Sequence, residues 1–124
     1  MGIRTEVPVR DYMSQPVETI SAEAPLRAAA DRMREQNVNA LIITESVSIL
    51  TSTDLVGVIA DGDDIDQLSV GAVATDVTTT IGPETTLTQA ASAMLRNDSS
   101  HLPVVDGDEI IGILSQTDIT RQKA

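Results

Sequence analysis

The chain has 124 residues, of which 41% are hydrophobic, and its formal net charge is −11, from 19 acidic and eight basic residues. This length predicts one compact unit, or two small halves that share a core. The negative charge disfavours binding to nucleic acids and anionic membranes, and the absence of cysteine excludes disulfides, thiolate catalysis and cysteine-based metal sites.

The acidity itself has two explanations. An Asp-rich, Lys-poor surface suits a protein that works in concentrated salt, where screening removes self-repulsion, and we favour this explanation. The alternative is a surface that meets a basic partner protein. The sequence shows neither a basic-then-apolar leader nor an apolar run of membrane-spanning length, so we expect a soluble, cytoplasmic protein.

Two segments, residues 8–60 and 70–121, align with each other along the chain. We call them copy one and copy two. Matching residues are 61 positions apart at first, as in Leu26 and Leu87, and 64 positions apart after Glu45, because copy two has a longer turn. Such self-similarity predicts a repeated structural unit.

Each copy has the same order of predicted elements. A short strand ends at Ile20 or Ile81, and an amphipathic helix follows. A hairpin comes next: "ALIIT" and "VSILT" joined through "ES" alone in copy one, and "HLPVV" and "EIIGIL" joined through an Asp-Gly turn in copy two. A last helix begins near "TDL" or "TDI". We expect Pro103 to lie near an edge, where no ladder donor is needed.

These elements predict an α/β (α+β) fold of two strand–helix–strand–strand–helix repeats. We expect the two repeats to pack through their sheets on a shared core, with pseudo-two-fold symmetry. The acidic stretch "ADGDDIDQLS" is typical of an exposed connection. The predicted domains are therefore residues 1–66, repeat one with its linker, and residues 67–124, repeat two.

The repeated order and the stretches "NALIITESVSILTSTDL" and "LPVVDGDEIIGILSQTDI" resemble the tandem cystathionine-β-synthase (CBS) domain pair, or Bateman module. The resemblance covers nearly the whole chain. Copy one departs from the family's pattern, since Ile42 stands where copy two has Pro103 and Ser48 replaces Gly112. Because of these departures, copy one matches the family's ligand-site pattern less closely than copy two.

The repeated phrases "LTSTDL" and "LSQTDI" carry the polar chemistry. A hydroxyl at the end of a strand, just before a helix, lies beside backbone donors and the positive end of the helix dipole, which suits a phosphate. A carboxylate three residues later can accept hydrogen bonds from both hydroxyls of a ribose. The alternative is that Thr51 with Asp54, and Ser115 with Asp118, only cap the helices that follow.

The resemblance implies that an adenosine derivative such as AMP, ADP, ATP or S-adenosylmethionine binds between the repeats. By this resemblance, the two hydroxyl–carboxylate pairs match the family's ligand-binding motif, and the isoleucine two residues before each pair lines the pocket of the base. Residues on the neighbouring strand supply further contacts. The candidate site residues are Asn39, Ala40, Ile49, Thr51 and Asp54 in copy one, and Ser100, His101, Ile113, Ser115 and Asp118 in copy two. Arg10, Arg96 and Arg121 are either phosphate contacts or ordinary surface ion pairs.

No arrangement of residues in the sequence is typical of catalysis or of a resident metal, so we expect no enzyme activity and no required cofactor, with Mg²⁺ only as a companion of nucleotide phosphates. The leading hypothesis is a stand-alone sensor that signals to an unknown partner protein. The alternative is an assembly module with degenerate sites.

The resemblance also implies a homodimer. Small apolar helix faces could supply its contact, or could pack within the chain instead: Ala29, Ala30 and Met33, and Ala90, Ala91 and Met94.

Overall fold

The computed structural model describes residues 6–121, which divide into two compact units. The copy-one unit consists of residues 18–77. The copy-two unit consists of residues 78–121 together with residues 6–17. Both units combine helices with a small sheet, which confirms the mixed α+β class. The repeated order is also found, except that the strand predicted to end at Ile81 is only an isolated bridge between Ile81 and Val104.

The copy-one unit contains a four-stranded sheet in the order β1-β2-β3-β4, in which β1 and β2 run parallel and the other neighbours are antiparallel. Its elements are β1 (Thr19–Ile20), α1 (Leu26–Gln36), β2 (Ala40–Ile43), β3 (Ser48–Thr51), α2 (Ser52–Ala60), α3 (Val70–Val73) and β4 (Thr75–Asp76). Leu26, Ala29 and Met33 recur at helical spacing on α1 and pack with Leu41 and Leu50 of the sheet.

The copy-two unit is built around a two-stranded antiparallel sheet. Its elements are a 3₁₀ turn (Val9–Asp11), α4 (Leu87–Asn97), β5 (His101–Asp106), β6 (Glu109–Ser115) and α5 (Gln116–Thr120). Val9, Leu87, Met94, Leu102 and Leu114 form the centre of its aliphatic core. No helix among residues 6–121 is both long and apolar enough to cross a bilayer.

The outer strands of copy one are reduced to single bridges in copy two, and a proline explains one of them. Ile42 N–H of β2 donates to the Glu18 carbonyl at 2.9 Å, which extends β1 along β2. Pro103 occupies the matching position of β5 and has no N–H to donate. Among the described residues, the outer side of β5 has one parallel contact, the bridge between Ile81 and Val104. Pro103 therefore lies at a sheet edge where no backbone donor is needed, as predicted.

The first residues of each copy, residues 8–17 and 70–78, which we call the lead-in segments, pair with the sheet of the other copy. Ser14, near the start of copy one, bridges Ile113 of β6, and Thr75, near the start of copy two, pairs with Ile49 of β3. The two segments align with the same spacing of 61 as the rest of the repeat. The boundary at residues 66 and 67 remains a prediction about the sequence repeats, while the compact units exchange these segments.

The copy-one hairpin turns through Thr44–Val47, so the predicted two-residue turn is wrong. The Glu45 carboxylate explains the longer loop, because it accepts hydrogen bonds from the Ser21 hydroxyl at 2.7 Å and the Ala22 N–H at 2.9 Å. These bonds, together with one from the Thr44 hydroxyl, lower the pKa of Glu45 to about 2. In copy two, by contrast, the turn has two residues and begins with Gly107 at φ 63°, a conformation that suits glycine.

Candidate functional site

The copy-two candidate residues meet where β6 ends and α5 begins. Ser115 is the N-cap of α5, and its Oγ accepts a hydrogen bond from the Asp118 N–H at 3.0 Å. The Asp118 Oδ2 in turn accepts from the Ser115 N–H at 2.9 Å. This reciprocal pair is a capping box, and both residues are only 9% exposed.

The start of β5 brings the remaining copy-two candidates to the same place. His101 lies opposite Ser115 in the sheet, and the Ser100 carbonyl accepts a hydrogen bond from the Gln116 N–H at 2.9 Å. The Ser100 Oγ and the His101 Nδ1 are hydrogen-bonded at 3.0 Å. Ile113 lies two residues before Ser115, on the same face of β6. All five residues therefore surround one strand end.

The copy-one candidates have the same arrangement at the end of β3. Thr51 is the N-cap of α2, and both its N–H, at 2.9 Å, and its hydroxyl, at 3.2 Å, donate to Asp54 Oδ2. Ala40 lies opposite Thr51, and the Asn39 carbonyl accepts from the Ser52 N–H at 3.0 Å. Ile49 precedes Thr51 by two residues and is half-buried. The bond from the N-cap N–H to the aspartate and the bond from the helix start to the neighbouring strand are thus repeated in both copies, while the hydroxyl donates in copy one and accepts in copy two.

Capping leaves part of each carboxylate available. Within residues 6–121, the hydrogen bonds to Asp54 and Asp118 all end on Oδ2. No buried side-chain oxygen in this part of the chain lacks a partner, so the Oδ1 atoms have access to solvent. An accessible carboxylate oxygen can accept two hydrogen bonds from a bound polyol. The cap and a ligand contact are therefore compatible roles for one side chain.

Two of the three arginines proposed as phosphate contacts have side-chain partners nearby. Arg10 forms an ion pair with Glu84, and the Arg96 guanidinium donates to the Ser92 hydroxyl at 2.7 Å. Arg121 is exposed at the end of α5. For Arg10, the ordinary ion pair is the alternative that the geometry supports.

The acidic connection is held by an arginine. The Arg27 guanidinium makes two hydrogen bonds to the carboxylate of Asp66, and these lower the pKa of Asp66. Among residues 6–121, no cluster of three or more His, Asp or Glu side chains could hold a metal ion.

Sequence reasoning missed Met13 and Ser14, which lie directly beside β6. Ser14 exchanges two backbone hydrogen bonds with Ile113, at 2.8 and 3.1 Å. A Cβ added to Gly112 would lie 2.6 Å from Met13 Sδ and 3.0 Å from the Ser14 carbonyl oxygen, so a larger residue here would force the Met13 side chain to move and would crowd the Ser14 backbone. The signal was available, because Val9 and Val70, in the two lead-in segments, have the repeat's spacing.

The helix faces suggested for a dimer contact instead pack within each unit. Ala29 and Ala90 are fully buried, and Met33 and Met94 are 6% and 3% exposed. The alternative of intramolecular packing is therefore correct for these four residues. Among residues 6–121, the exposed large apolar side chains are Val47, Val56, Ile59 and Leu95.

Comparisons with known proteins agree with this geometry. The family model for the CBS domain matches residues 9–63 and 70–124. A homoserine O-acetyltransferase of Methanosphaerula palustris is 34% identical over 119 residues, which are 91% of this chain but only 23% of that enzyme. The chain therefore spans less than a quarter of that relative.

Two solved structures have a similar fold. A hexameric CBS-CP12 protein from bloom-forming cyanobacteria is 26% identical, with a TM-score of 0.88 over 94% of this chain and 68% of that one. The CBS domain pair of protein MJ0100, solved in complex with 5-methylthioadenosine and S-adenosyl-L-methionine, is 25% identical. Its TM-score is 0.80, over 92% of this chain and 93% of that one.

Proposed function

Because the chain belongs to the CBS domain family, we propose that it is a regulatory module that binds an adenosine-containing ligand at the helix start of the copy-two unit. The observation that carries the proposal is the recurrence of one arrangement in both copies: a capping carboxylate with one accessible oxygen, beside a strand-end hydroxyl and the start of a neighbouring strand. The ligands in the structure of the MJ0100 domain pair support the adenosine class.

In this proposal each part of the ligand meets a group of matching chemistry. The free oxygen of Asp118 accepts the ribose hydroxyls, and Ile113 contacts the adenine. Ser100 and His101 contact the remaining polar part, whether that is the phosphate of AMP, ADP or ATP, with or without Mg²⁺, or the amino-acid part of S-adenosylmethionine. Asn39, Ala40, Ile49, Thr51 and Asp54 form the corresponding site of copy one.

The proposed role is regulation rather than catalysis. A ligand can transmit a signal only if it binds two conformations of the protein with different affinities, and a partner protein then responds to the shift. We also propose that the protein is a cytoplasmic homodimer. In this proposal the acidic surface of the protein is an adaptation to high salt. The apolar side chains available for a dimer contact are Val56 and Ile59 of α2, which are 65% and 62% exposed.

The alternative function is assembly without a ligand. One observation favours it: both capping boxes are satisfied by the protein's own groups, so the candidate residues have a structural role that needs no ligand. In copy one, Ser48 gives further support to assembly without a ligand. It is buried and hydrogen-bonded to Ser46 and Asp76, at the position where copy two has Gly112 as in the family pattern.

Thermal unfolding in molar KCl distinguishes the two functions. We would add AMP, ADP, ATP, S-adenosylmethionine and NAD in turn. A ligand at about one hundred times its dissociation constant should stabilise the protein by about 2.7 kcal/mol, a shift of several degrees. The elution volume of the same samples in size-exclusion chromatography tests the dimer.

The matched variants are Asp118→Ala and Asp54→Ala, which remove the same capping carboxylate from copy two and copy one. Each should lose about 1 kcal/mol of stability through its cap. The ligand-induced shift should be much smaller in Asp118→Ala than in Asp54→Ala. No shift with any ligand, or an equal shift in both variants, would contradict ligand binding at Asp118 and favour assembly.

A further inference from the structure

The two units differ in how the outer side of the hairpin is covered. In the copy-one unit, β4 pairs along β3 through Thr75 and Asp76. The pairing continues into the turn, where the Val77 N–H donates to the Val47 carbonyl at 2.8 Å. The outer side of this hairpin strand is therefore covered to its beginning.

In the copy-two unit the outer side of β6 is covered over a shorter length. Ser14 pairs with Ile113, but Pro16 stands at the position that matches Val77 and has no N–H to donate. Within residues 6–121, Ser14 and Ile113 make the only backbone hydrogen bonds between the lead-in segment and β6. In the described part of the chain, the outer side of the first part of β6 is consequently an open sheet edge.

A groove of about 670 Å³ lies along this edge. It is lined by Gln15, Pro16 and Val17 on one side and by Glu109, Ile110 and Ile111 on the other. Ile111 is the extra residue of a β-bulge, because Val104 pairs with Gly112 and Val105 with Ile110. The groove thus combines the unpaired outer edge of β6 with half-buried apolar side chains.

This groove is separate from the candidate ligand site. Ile111 and Ser115 belong to the same strand, and four residues of extended chain place them about 13 Å apart. None of the groove residues is a candidate ligand residue, so the inference below does not depend on the proposed function.

The charge at the groove specifies the kind of occupant. Asp106, Asp108 and Glu109 are exposed at the hairpin end, and none of them belongs to the ion pairs found among residues 6–121. Like charges across a strand pair are destabilising, so this acidic end disfavours pairing with a second copy of the same edge. Lysine or arginine side chains would be attracted to it.

We propose that the edge of β6 in the copy-two unit binds an extended, positively charged peptide segment of a partner protein by strand addition. The backbone of the peptide pairs with the open edge, alternate apolar side chains lie against Val17, Ile110 and Ile111, and basic side chains face the acidic hairpin end. Main-chain bonds supply affinity in this mode of recognition, and the side-chain contacts supply specificity.

The first test uses synthetic peptides about six residues long, a usual strand length. The full chain is titrated by calorimetry at physiological salt with a peptide of alternating lysine and valine. Matched peptides replace lysine with glutamate, or place a proline at the centre to prevent pairing. The lysine–valine peptide should bind at least about tenfold more tightly than either control. Equal binding of the proline peptide would overturn strand addition.

The second test separates a local site from the general acidity of the protein. Glu109→Lys and Glu35→Lys change the net charge equally, but Glu35 lies exposed on α1 of the copy-one unit. Glu109→Lys should weaken binding by about tenfold and Glu35→Lys by less than about twofold. Amide shifts in NMR spectra should centre on residues 109–111. An equal loss in both variants, or a self-association that Glu109→Lys abolishes, would reject a basic peptide as the occupant.

Discussion

The copy-one and copy-two units have the same helix starts but different sheet edges. Both helices that follow the hairpins begin with a hydroxyl N-cap and an aspartate three residues later, bonded through Oδ2 to the N-cap N–H. The outer strands, however, are paired in copy one and reduced to single bridges in copy two. The first N–H groups of a helix need partners, and few side chains can supply them. An edge strand, by contrast, can lose backbone pairing while the core stays covered.

The differences at the edges occur in matched sets of residues. Gly112 of copy two faces Met13, while its counterpart Ser48 in copy one hydrogen-bonds to Asp76, and Ala74 stands at the position that matches Met13. A larger lead-in side chain thus goes with glycine, and a smaller one with serine. In each unit, the residue on the strand and the residue on the lead-in segment are therefore matched in size.

The largest effect is expected where a copy-two proline is placed in copy one. Ile42→Pro removes the N–H that bonds Glu18 and leaves that carbonyl without its donor. The lost hydrogen bond and the smaller buried side chain should destabilise the protein by about 2 to 3 kcal/mol, measured by urea unfolding. Exchange of the Thr44 amide, which bonds Ile20 across β1, should also accelerate.

The reciprocal change is the control. Pro103→Ile supplies a donor to copy two and should alter stability by no more than about 1 kcal/mol. If Ile42→Pro costs no more than this, the missing N–H does not explain why the outer strand of copy two is so short.

An intermediate effect is expected when copy two receives the serine of copy one. Gly112→Ser places a Cβ within 3.0 Å of Met13 and of the Ser14 carbonyl oxygen, and such overpacking costs about 2 kcal/mol. Adding Met13→Ala should recover part of the loss, with a coupling of about 1 kcal/mol in a double-mutant cycle.

Gly57→Ser provides the comparison at an open position, because nothing lies within 4 Å of a Cβ at Gly57. It should leave the stability unchanged or slightly raised. Additive effects of Gly112→Ser and Met13→Ala would show that these two positions are not coupled.

The smallest effect concerns the copy-one turn and depends on pH. The pKa of Glu45 is lowered to about 2 in the folded state, so the unfolded chain binds the proton more readily. Its contribution to stability is therefore complete above its ordinary pKa of 4.5 and is lost as the pH falls towards 2. Glu45→Gln should lose less stability than the unchanged protein over this range, in unfolding curves recorded at successive pH values.

Ser21→Ala tests the cause, because the Ser21 hydroxyl is the main donor to Glu45. The midpoint of the Glu45 titration, followed by NMR, should rise in this variant. The effect on stability is small because the carboxylate is exposed and solvent screens it. An unchanged midpoint would mean that the Ala22 N–H and the Thr44 hydroxyl suffice.

The sequence alone determined the repeat, the order of elements and the two helix starts. These features depend on local chemistry: the spacing of apolar residues fixes which face of α1 and α4 is buried, and a hydroxyl followed by an aspartate fixes a capping box. The candidate residues of each copy could be found for the same reason, since they lie on consecutive strands of one hairpin and at the helix that follows.

Only the tertiary structure decided which sheet each lead-in segment joins, how long the outer strands are, and where the copy-one hairpin turns. Each outcome depends on contacts between residues distant in sequence: Ser14 with Ile113, Ile42 with Glu18, and Glu45 with Ser21. No local pattern encodes these pairs, because their hydrogen bonds are only available once the sheet has brought both partners together.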